Sequence, residues 1–320
     1  MLRKIFLLPV ISLFLIGCGN RSDSGDNNLF TIATLKGPSS MGMIKLIDSL
    51  GRGEGHSVKA LILNEPLQVR KMMIEGSADF AILPTTMAAI VYNKGMRYRV
   101  VAIPVWGTLY LAGSDTTISR WEDLRGKRVY VMARGMTPDV LFRYLLMKNE
   151  IDPDKDITLD YSFPTHIDLA NAVAARQASL GVISEPLASL AMYNNRAVKR
   201  IFSLEDEWNR IERIPLAETA FMAKAEVIKK HHRLVEKIVS AYAASTEWVN
   251  YHPDSAALLI VKYNILPDSA LAMNAIPRSN LRFASAAGVR QEINDYLNVF
   301  YRMNPDIVGG KMPDEEFIYR

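Results

Sequence analysis

The chain has 320 residues, of which 49% are hydrophobic, and its formal net charge is +4. This length and apolar content are enough for two modest domains or one large one, each with its own core. The near-neutral charge, with basic and acidic residues interspersed, argues against a nucleic-acid partner, and the single cysteine, Cys18, leaves no disulfide or cysteine-based metal site.

Residues 1–18 resemble a bacterial lipoprotein signal peptide. Two basic residues precede an apolar run over 5–16, and small residues then lead to Cys18. The run is shorter than the roughly 20 residues that cross a bilayer, and Pro9 interrupts it. A plain signal peptide would need no cysteine at its cleavage site. We therefore expect Cys18 to be lipid-modified and to become the mature N-terminus.

The segment 19–28 is rich in Ser, Asp, Asn and Gly, which is typical of a flexible tether. Cleavage before Cys18 would remove Arg3 and Lys4 and leave a net charge of +2. We expect the folded part to begin near Leu29, in the cell envelope, anchored by lipid to a membrane on its periplasmic or extracellular side.

From residue 30 onward, short apolar runs alternate with amphipathic stretches, which predicts βα units around a mostly parallel sheet. The first units have predicted strands at 30–35, 57–63 and 80–83 and helices at 39–50, 66–75 and 86–94. Apolar runs at 100–105 and 108–113 lead to a second set, with strands at 128–132, 157–161, 180–183 and 198–202 and helices at 137–149, 165–176 and 186–194.

The last third of the chain has a different pattern. A predicted strand at 218–223 is followed by helical periodicity at 226–250, 254–263, 267–275 and 285–303. This asymmetry indicates an inserted middle region that the chain enters near Tyr110 and leaves near Phe221. We therefore predict a discontinuous lobe 1, formed by 29–110 and 222–320 with a helical C-terminal tail, and a lobe 2 formed by 111–221, joined by a two-stranded hinge.

Five stretches carry a family resemblance, namely 36–43 (KGPSSMGM), 76–84 (GSADFAILP), 122–129 (EDLRGKRV), 134–138 (RGMTP) and 184–188 (SEPLA). In this order and spacing they resemble the type II periplasmic binding proteins, in particular the nitrate, sulfonate, taurine and thiamine-precursor group that serves ABC importers. The resemblance implies a two-lobed α/β fold with mixed sheets flanked by helices. It also implies a monomer without enzymatic activity or cofactor, which captures a small solute and delivers it to a permease and ATPase complex.

Ligands of open α/β sheets lie beyond the carboxyl ends of the strands. That rule selects the loops at 36–41, 84–86, 134–138, 162–166 and 184–186. In the first loop, Pro38, Ser39 and Ser40 open a helix, so that backbone N–H groups and hydroxyls would face the cleft. Capping of its own helix is an equally good interpretation of Ser39.

The loop with Arg134, Met136 and Thr137 also opens a helix, so it would present backbone N–H groups to the cleft from the second lobe. Arg134 adds a permanent positive charge. A carboxylate, sulfonate or phosphate-like group would suit this position, because guanidinium and N-terminal amide groups both bind such anions. The alternative for Arg134 is a solvated side chain on a loop.

Glu185, at the start of a helix, is a candidate for binding an ammonium group or a ring edge, and Glu218 on the return crossing is a second candidate of this kind. For Glu185 the alternative is simple pairing with the helix dipole. The solute could therefore carry an anion and a cation together, as in an amino-sulfonate or a heteroaromatic precursor.

Four more side chains belong to the predicted site. Trp106, at the outgoing crossing, would floor the pocket or pack beneath the hinge. Thr85 and Thr86 would cap the next helix, donate hydroxyls to the solute, or both. His166 follows a predicted strand, where a ligand contact and a partly exposed surface position are both open.

The remaining histidines form no metal signature, and the sequence lacks hydrolase, P-loop and dinucleotide fingerprints. Two alternatives to solute capture stay open. One is an enzyme on the same scaffold, such as the pyrimidine-precursor synthases that use their own histidine and a pyridoxal cofactor. The other is a ligand-free adhesin or sensor module, which a cleft filled by side chains would favour.

Overall fold

The computed structural model describes residues 29–50 and 58–320. The predicted signal peptide, Cys18 and the tether at 19–28 lie outside these described residues. The described part contains two mixed sheets flanked by helices, which confirms the predicted fold class.

The first sheet has six strands in the order β11-β4-β10-β3-β1-β2. β1 is parallel to β2 and β3, whereas β10 is antiparallel to β3 and β4, and β11 is antiparallel to β4. These strands are β1 (Phe30–Leu35), β2 (Val58–Leu63), β3 (Phe80–Pro84), β4 (Tyr98–Val105), β10 (Thr219–Lys224) and β11 (Leu281–Ser285). β3 and β4 are buried over most of their length, as expected for strands covered by helices on both faces.

The second sheet has five strands in the order β7-β6-β8-β5-β9. β6 is parallel to β7 and β8, and β5 is antiparallel to β8. These strands are β5 (Leu109–Gly113), β6 (Arg128–Tyr130), β7 (Thr158–Asp160), β8 (Leu180–Ser184) and β9 (Lys199–Ser203). The carboxyl ends of β6 and β8 therefore lie at one edge of this sheet, as those of β1 and β3 do in the first.

Thirteen α-helices connect and cover the strands within the described residues. Eight precede β10: α1 (Pro38–Gly42), α2 (Ile44–Leu50), α3 (Pro66–Ile74), α4 (Thr85–Asn93), α5 (Thr137–Lys148), α6 (His166–Ala174), α7 (Leu187–Asn194) and α8 (Leu204–Glu212). Five follow it: α9 (Ala225–Lys230), α10 (His232–Tyr251), α11 (Pro253–Lys262), α12 (Ser269–Ala275) and α13 (Arg290–Met303). Even α10, with 20 residues, lacks the apolar length of a membrane span, and the same holds for the other described helices.

An aromatic cluster joins the two sheets. The ring of Trp208 on α8 lies 5.9 Å from that of Tyr296 and 6.0 Å from that of Phe300, both on α13. The ring of Tyr144 on α5 lies 5.7 Å from that of Trp208. Because α13 contacts α4 as well as α5, this cluster makes the hydrophobic core continuous from the first sheet to the second.

The chain passes between the sheets twice, at 106–108 and at 213–218. The predicted lobe boundaries, after residues 110 and 221, fall inside β5 and β10, a few residues beyond these crossings. Thr108 and Glu218 tie the crossings together, because the Thr108 backbone N–H donates to the Glu218 carboxylate at 2.6 Å.

Several predicted elements differ from the observed ones. The predicted helix at 39–50 is broken at Met43 into α1 and α2, and the predicted helix at 226–250 is broken at His231 into α9 and α10. Helix α8 and strand β11 were not predicted, and β11 lies between the predicted helices at 267–275 and 285–303. The first sheet is also mixed rather than mostly parallel, because β10 and β11 run against their neighbours.

Candidate functional site

Two predicted site residues from different sheets meet directly. The Thr86 and Thr137 hydroxyl oxygens are 2.7 Å apart and hydrogen-bonded, and both side chains are almost fully buried. Thr86 lies in the first turn of α4, after β3 of the first sheet, and Thr137 is the first residue of α5, after β6 of the second. The starts of two helices that follow strands of different sheets are therefore in contact here.

No side chain caps the start of α4 or of α5 within the described structure. The first backbone N–H groups of a helix have no partner within the helix, and the helix dipole makes this end positive. Two such ends that carry hydroxyl side chains provide an arrangement of donors suited to an oxoanion.

Asp139 in the first turn of α5 reduces this positive potential only in part. Its carboxylate is buried and accepts hydrogen bonds from the Gly135 N–H at 2.7 Å, the Tyr161 hydroxyl at 2.7 Å and the Arg143 Nε at 3.0 Å. The charge of Asp139 is thus balanced by Arg143 rather than directed at Thr137.

Glu218 stands beside this contact. Its backbone oxygen accepts from the Thr85 N–H at 2.9 Å, and its carboxylate accepts from the Thr108 N–H and hydroxyl at 2.6 and 2.8 Å. The buried hydroxyls of Thr85 and of Tyr296 on α13 have no hydrogen-bond partner within the described residues. Burying a hydroxyl without a hydrogen-bond partner lowers the stability of the fold by about 1–3 kcal/mol. These two hydroxyls can therefore donate to an additional acceptor.

The carboxyl groups of Glu205 and Glu218 both have pKa values well above the usual range of glutamate. Burial, together with the nearby charge of Glu205, raises the pKa of Glu218 to about 7, although the hydrogen bonds from Thr108 oppose this rise. Burial also raises the pKa of Glu205 to about 7, against a hydrogen bond from Asn280 at 2.6 Å. Glu205 lies on α8 and Asn280 precedes β11, so this bond also connects the two sheets.

Stability should consequently fall as the pH rises through neutrality. A carboxyl whose folded pKa exceeds its unfolded value stabilises the fold below the unfolded pKa, and this contribution is lost as the pH rises through the folded pKa. From about pH 6.5 to about pH 8, each of Glu205 and Glu218 should remove about 1 kcal/mol from the free energy of unfolding. Urea titrations of wild type, Glu205→Gln and Glu218→Gln check this. An equal pH slope in all three proteins would show that neither carboxyl titrates in this range.

Glu185 was predicted as a candidate for binding a cationic group of the solute, but its carboxylate is already bonded to other residues of the protein. It is 1% exposed, and its carboxylate is paired with Arg200, whose Nε donates to Oε1 at 2.9 Å. Its second oxygen accepts from the Ser189 N–H at 3.2 Å. Desolvation raises the pKa of Glu185, and Arg200 opposes that rise. The carboxylate is thus engaged within the second sheet, and its partner Arg200 was not identified from the sequence.

The loop with Pro38, Ser39 and Ser40 lies against the loop that holds Glu185. A Cβ atom on Gly37 would lie 3.8 Å from the Pro186 Cδ. The two serine hydroxyls are directed at their own backbone, Ser39 to the Leu35 oxygen at 3.4 Å and Ser40 to the Gly37 oxygen at 3.0 Å. Ser39 thus bonds to the end of β1 and does not cap α1, whose N-cap residue is Gly37.

Trp106 packs beneath the crossings and is 1% exposed. Its Nε1 donates to the Arg282 oxygen at 2.7 Å, and the Arg282 guanidinium lies 3.8 Å from the ring centroid. This placement matches the packing alternative rather than the floor of an open pocket.

The remaining predicted residues are Arg134, Met136 and His166, and Met136 directly precedes Thr137 as the N-cap residue of α5. Arg134 is exposed, with its guanidinium 5.1 Å from the Tyr161 ring, and Met136 is half-buried against the core. The His166 ring is 3.2 Å from the Ser184 hydroxyl, and desolvation lowers the pKa of His166 to about 4. His166 is therefore neutral at physiological pH.

Two cavities in the described part lie elsewhere. One, of about 150 Å³, lies between α7, β9 and α12, and the other, of about 480 Å³, lies beside Tyr92 and Arg99. Neither is lined by a predicted site residue. Among residues 29–50 and 58–320, no group of three or more His, Cys, Asp or Glu side chains has the geometry to hold a metal ion.

The sequence also matches a known protein family. Residues 36–247 match the family described as "ABC transporter, phosphonate, periplasmic substrate-binding protein". This match covers more than half of the chain and includes the starts of α4 and α5. The chain belongs to this family.

One curated relative is the "Putative binding protein YtlA" of Bacillus subtilis (strain 168). It is 27% identical over 184 residues, which are 56% of this chain and 53% of the relative. The match thus spans about half the length of that protein.

Solved structures share the fold over nearly the whole chain. An ABC transporter protein from Parabacteroides distasonis superposes with a TM-score of 0.78 and 24% identity, covering 92% of this chain and 99% of that one. The periplasmic aliphatic sulphonate binding protein SsuA from Escherichia coli has a TM-score of 0.71 and 16% identity, with 92% of each chain covered. The alkanesulfonate-binding protein SsuA from Xanthomonas axonopodis pv. citri, bound to MOPS, has a TM-score of 0.65 and 16% identity. The match covers 90% of this chain and 96% of that one.

Proposed function

We propose that this member of the substrate-binding family captures a small organic solute with an oxoanion group, of phosphonate or sulfonate type, between its two sheets. The observation that carries the proposal is the contact between Thr86 and Thr137, at the starts of two helices that rise from different sheets. The family description and the sulfonate-binding structural neighbours support the same solute class.

The chemistry of the site fits a tetrahedral anion. Each helix start offers backbone N–H groups, the two threonines offer hydroxyl donors, and no side chain caps either helix in the described structure. The unpartnered hydroxyls of Thr85 and Tyr296 add two donors next to Glu218. Glu218, with a pKa of about 7, would accept from an amino group of the solute when ionised and donate to an oxygen when protonated.

Capture would use a hinge between two lobes, with the predicted divisions 29–110 with 222–320 and 111–221. The observed contact of Thr86 with Thr137 corresponds to a closed arrangement, so a solute would enter only when the sheets separate. A solute that bound both helix starts at once would then favour closure, because it gains contacts with both lobes only in that state.

Delivery to an ABC permease and ATPase complex completes the proposal. Lipidation of Cys18 and the tether at 19–28 would hold a monomeric receptor near the membrane at a high effective concentration. In this function the chain is not an enzyme and needs no cofactor.

A thermal-shift panel tests solute capture. Alkyl phosphonates, alkane and aryl sulfonates, taurine, nitrate and thiamine precursors should be compared, with amino acids as controls. A bound solute at about 100 times its Kd stabilises by about 2.7 kcal/mol, which raises the Tm by several degrees. We expect at least one phosphonate or sulfonate to do so. A panel in which no oxoanion raises the Tm at saturating concentration would contradict the proposal.

A ligand-free adhesin or sensor module is the second candidate. It is favoured by one observation, that side chains at the starts of helices from the two sheets bond directly to each other. The same panel separates the two, because a ligand-free module would show no specific shift.

A further inference from the structure

A cavity with a basic lining lies between the two sheets, away from Thr86 and Thr137. It has a volume of about 150 Å³ and lies between α7 and β9 on one side and α12 with the residues that follow it on the other. We call it the seam cavity. Its polar lining consists mainly of Arg196, Lys199, Arg200, Arg278, Ser189 and Asn274. A water molecule needs roughly 10–15 Å³ of such space, so an anion of several atoms fits.

The positive charge of the seam cavity is mostly uncompensated. None of the described residues that line it is acidic. Arg200 is neutralised by Glu185, but Arg196, Lys199 and Arg278 form no salt bridge with any carboxylate in the described part of the chain. Arg278 donates one N–H to the Asn274 oxygen at 2.6 Å, which leaves its other donors available.

These three charges come from both sides of the seam. Arg278 follows α12, which packs with β4 and β11 of the first sheet. Arg196 and Lys199 lie between α7 and the start of β9, in the second sheet. The Tyr110 hydroxyl of β5 donates to the Arg278 oxygen at 3.4 Å, which brings the two sides together.

Bringing these like charges together has an energetic consequence. Arg196, Lys199 and Arg278 are exposed, so water screens their mutual repulsion, which grows as the seam tightens. A multiply charged anion between them would turn this repulsion into attraction. Guanidinium groups bind phosphate and carboxylate through paired hydrogen bonds, and two arginines face the cavity from opposite sides.

We propose that the seam cavity is a second binding site, which takes a multiply charged anion of phosphate or carboxylate type and links the two sheets through it. The site is separate from the proposed solute site, because none of the twelve residues predicted for that site lines the cavity. It does not depend on the identity of the transported solute. The anion would stabilise the arrangement in which α12 lies against α7.

Calorimetric titration of the full-length chain with inorganic pyrophosphate at low ionic strength tests the site. Arg278→Gln and Arg196→Gln each remove one charge from opposite sides, and each should weaken binding about tenfold or more. Arg233→Gln, on the exposed face of α10, is the matched control and should bind like wild type. Thr137→Val should also bind pyrophosphate like wild type, because it alters only the proposed solute site.

A second arm identifies the source of the anion. Phosphatidylcholine vesicles with and without phosphatidylglycerol should be compared for binding of wild type and Arg278→Gln. Binding that requires phosphatidylglycerol and falls in the variant would assign the site to a lipid headgroup. Pyrophosphate binding without this lipid dependence would assign it to a soluble anion.

Three outcomes would overturn the proposal. The first is that wild type binds neither pyrophosphate nor the anionic vesicles. The second is that only one side of the seam matters, so that Arg196→Gln or Arg278→Gln binds like wild type. The third is that Thr137→Val loses pyrophosphate binding, which would place the anion in the solute site; solute capture itself would be unaffected by the first two outcomes.

Discussion

Replacing Arg200 with methionine should lower the free energy of unfolding by about 3–5 kcal/mol at neutral pH, because Glu185 would be left as a buried charge without its partner. Glu185 is 1% exposed, and Arg200 is the cation that contacts it. The Arg200 guanidinium also donates to the Ser189 hydroxyl at 2.6 Å, and this bond would be lost as well. Urea unfolding at neutral pH measures the effect.

A double variant and an exposed pair provide the controls. Glu185→Gln combined with Arg200→Met removes the buried charge and should recover most of the lost stability. Arg320→Met breaks the pair with Glu315, whose side chains are 76% and 82% exposed, and should be nearly neutral. If Arg200→Met alone were as stable as wild type, the pairing of Glu185 would be wrong.

Replacing Gly107 with alanine should also lower the stability of the fold, by less than the replacement of Arg200. A Cβ atom at this position would lie 2.6 Å from the Glu205 Cβ, so α8 must move away from the crossing. Such overpacking costs about 1–3 kcal/mol. The shift would also stretch the bond between Asn280 and Glu205, which links the sheets. We expect a lower Tm and a looser association of the two sheets.

The variant Glu205→Ala separates the effect of overpacking at Gly107 from the loss of the bond between Asn280 and Glu205. It removes the bond to Asn280 but adds no atom beside Gly107, so it should lower the Tm less than Gly107→Ala does. Thermal unfolding of both variants, with small-angle scattering to compare their dimensions, is the measurement. A Gly107→Ala protein with wild-type Tm and dimensions would contradict the close packing of this crossing against α8.

Local sequence patterns predicted much of the fold. The alternation of strands and helices through β8 followed the apolar periodicity, and the helix start at Thr137 followed from Pro138 and Asp139. Helix α8 was missed although its start carries a signal, since the Ser203 hydroxyl accepts from the Asp206 N–H and three acids occupy its first turn. Strand β11 was missed for a different reason, because its pairing with β4 joins residues far apart in the sequence.

The candidate site was predictable only in part. The rule that ligands bind beyond strand ends selected Thr85, Thr86 and Thr137, which the structure places close to Glu218, the candidate taken from the return crossing. It did not select Tyr296, which reaches the site from α13, because nothing in the local sequence connects that helix to Glu218. For Arg134 and Glu185, the partners Tyr161 and Arg200 decide the orientation, and both partners lie on other elements.

The central claim is solute capture at the starts of α4 and α5. It is tested most directly by titrating the protein with whichever phosphonate or sulfonate raises the Tm most in the panel. Calorimetry should compare wild type with Thr86→Val and Thr137→Val, which remove a hydroxyl without a change of size. Thr158→Val, at an exposed position of β7, is the matched control. We predict that each of the two site variants weakens binding about tenfold or more, because hydrogen bonds to charged groups contribute about 1.5–3 kcal/mol, while Thr158→Val binds like wild type. Wild-type affinity in both Thr86→Val and Thr137→Val would contradict the account.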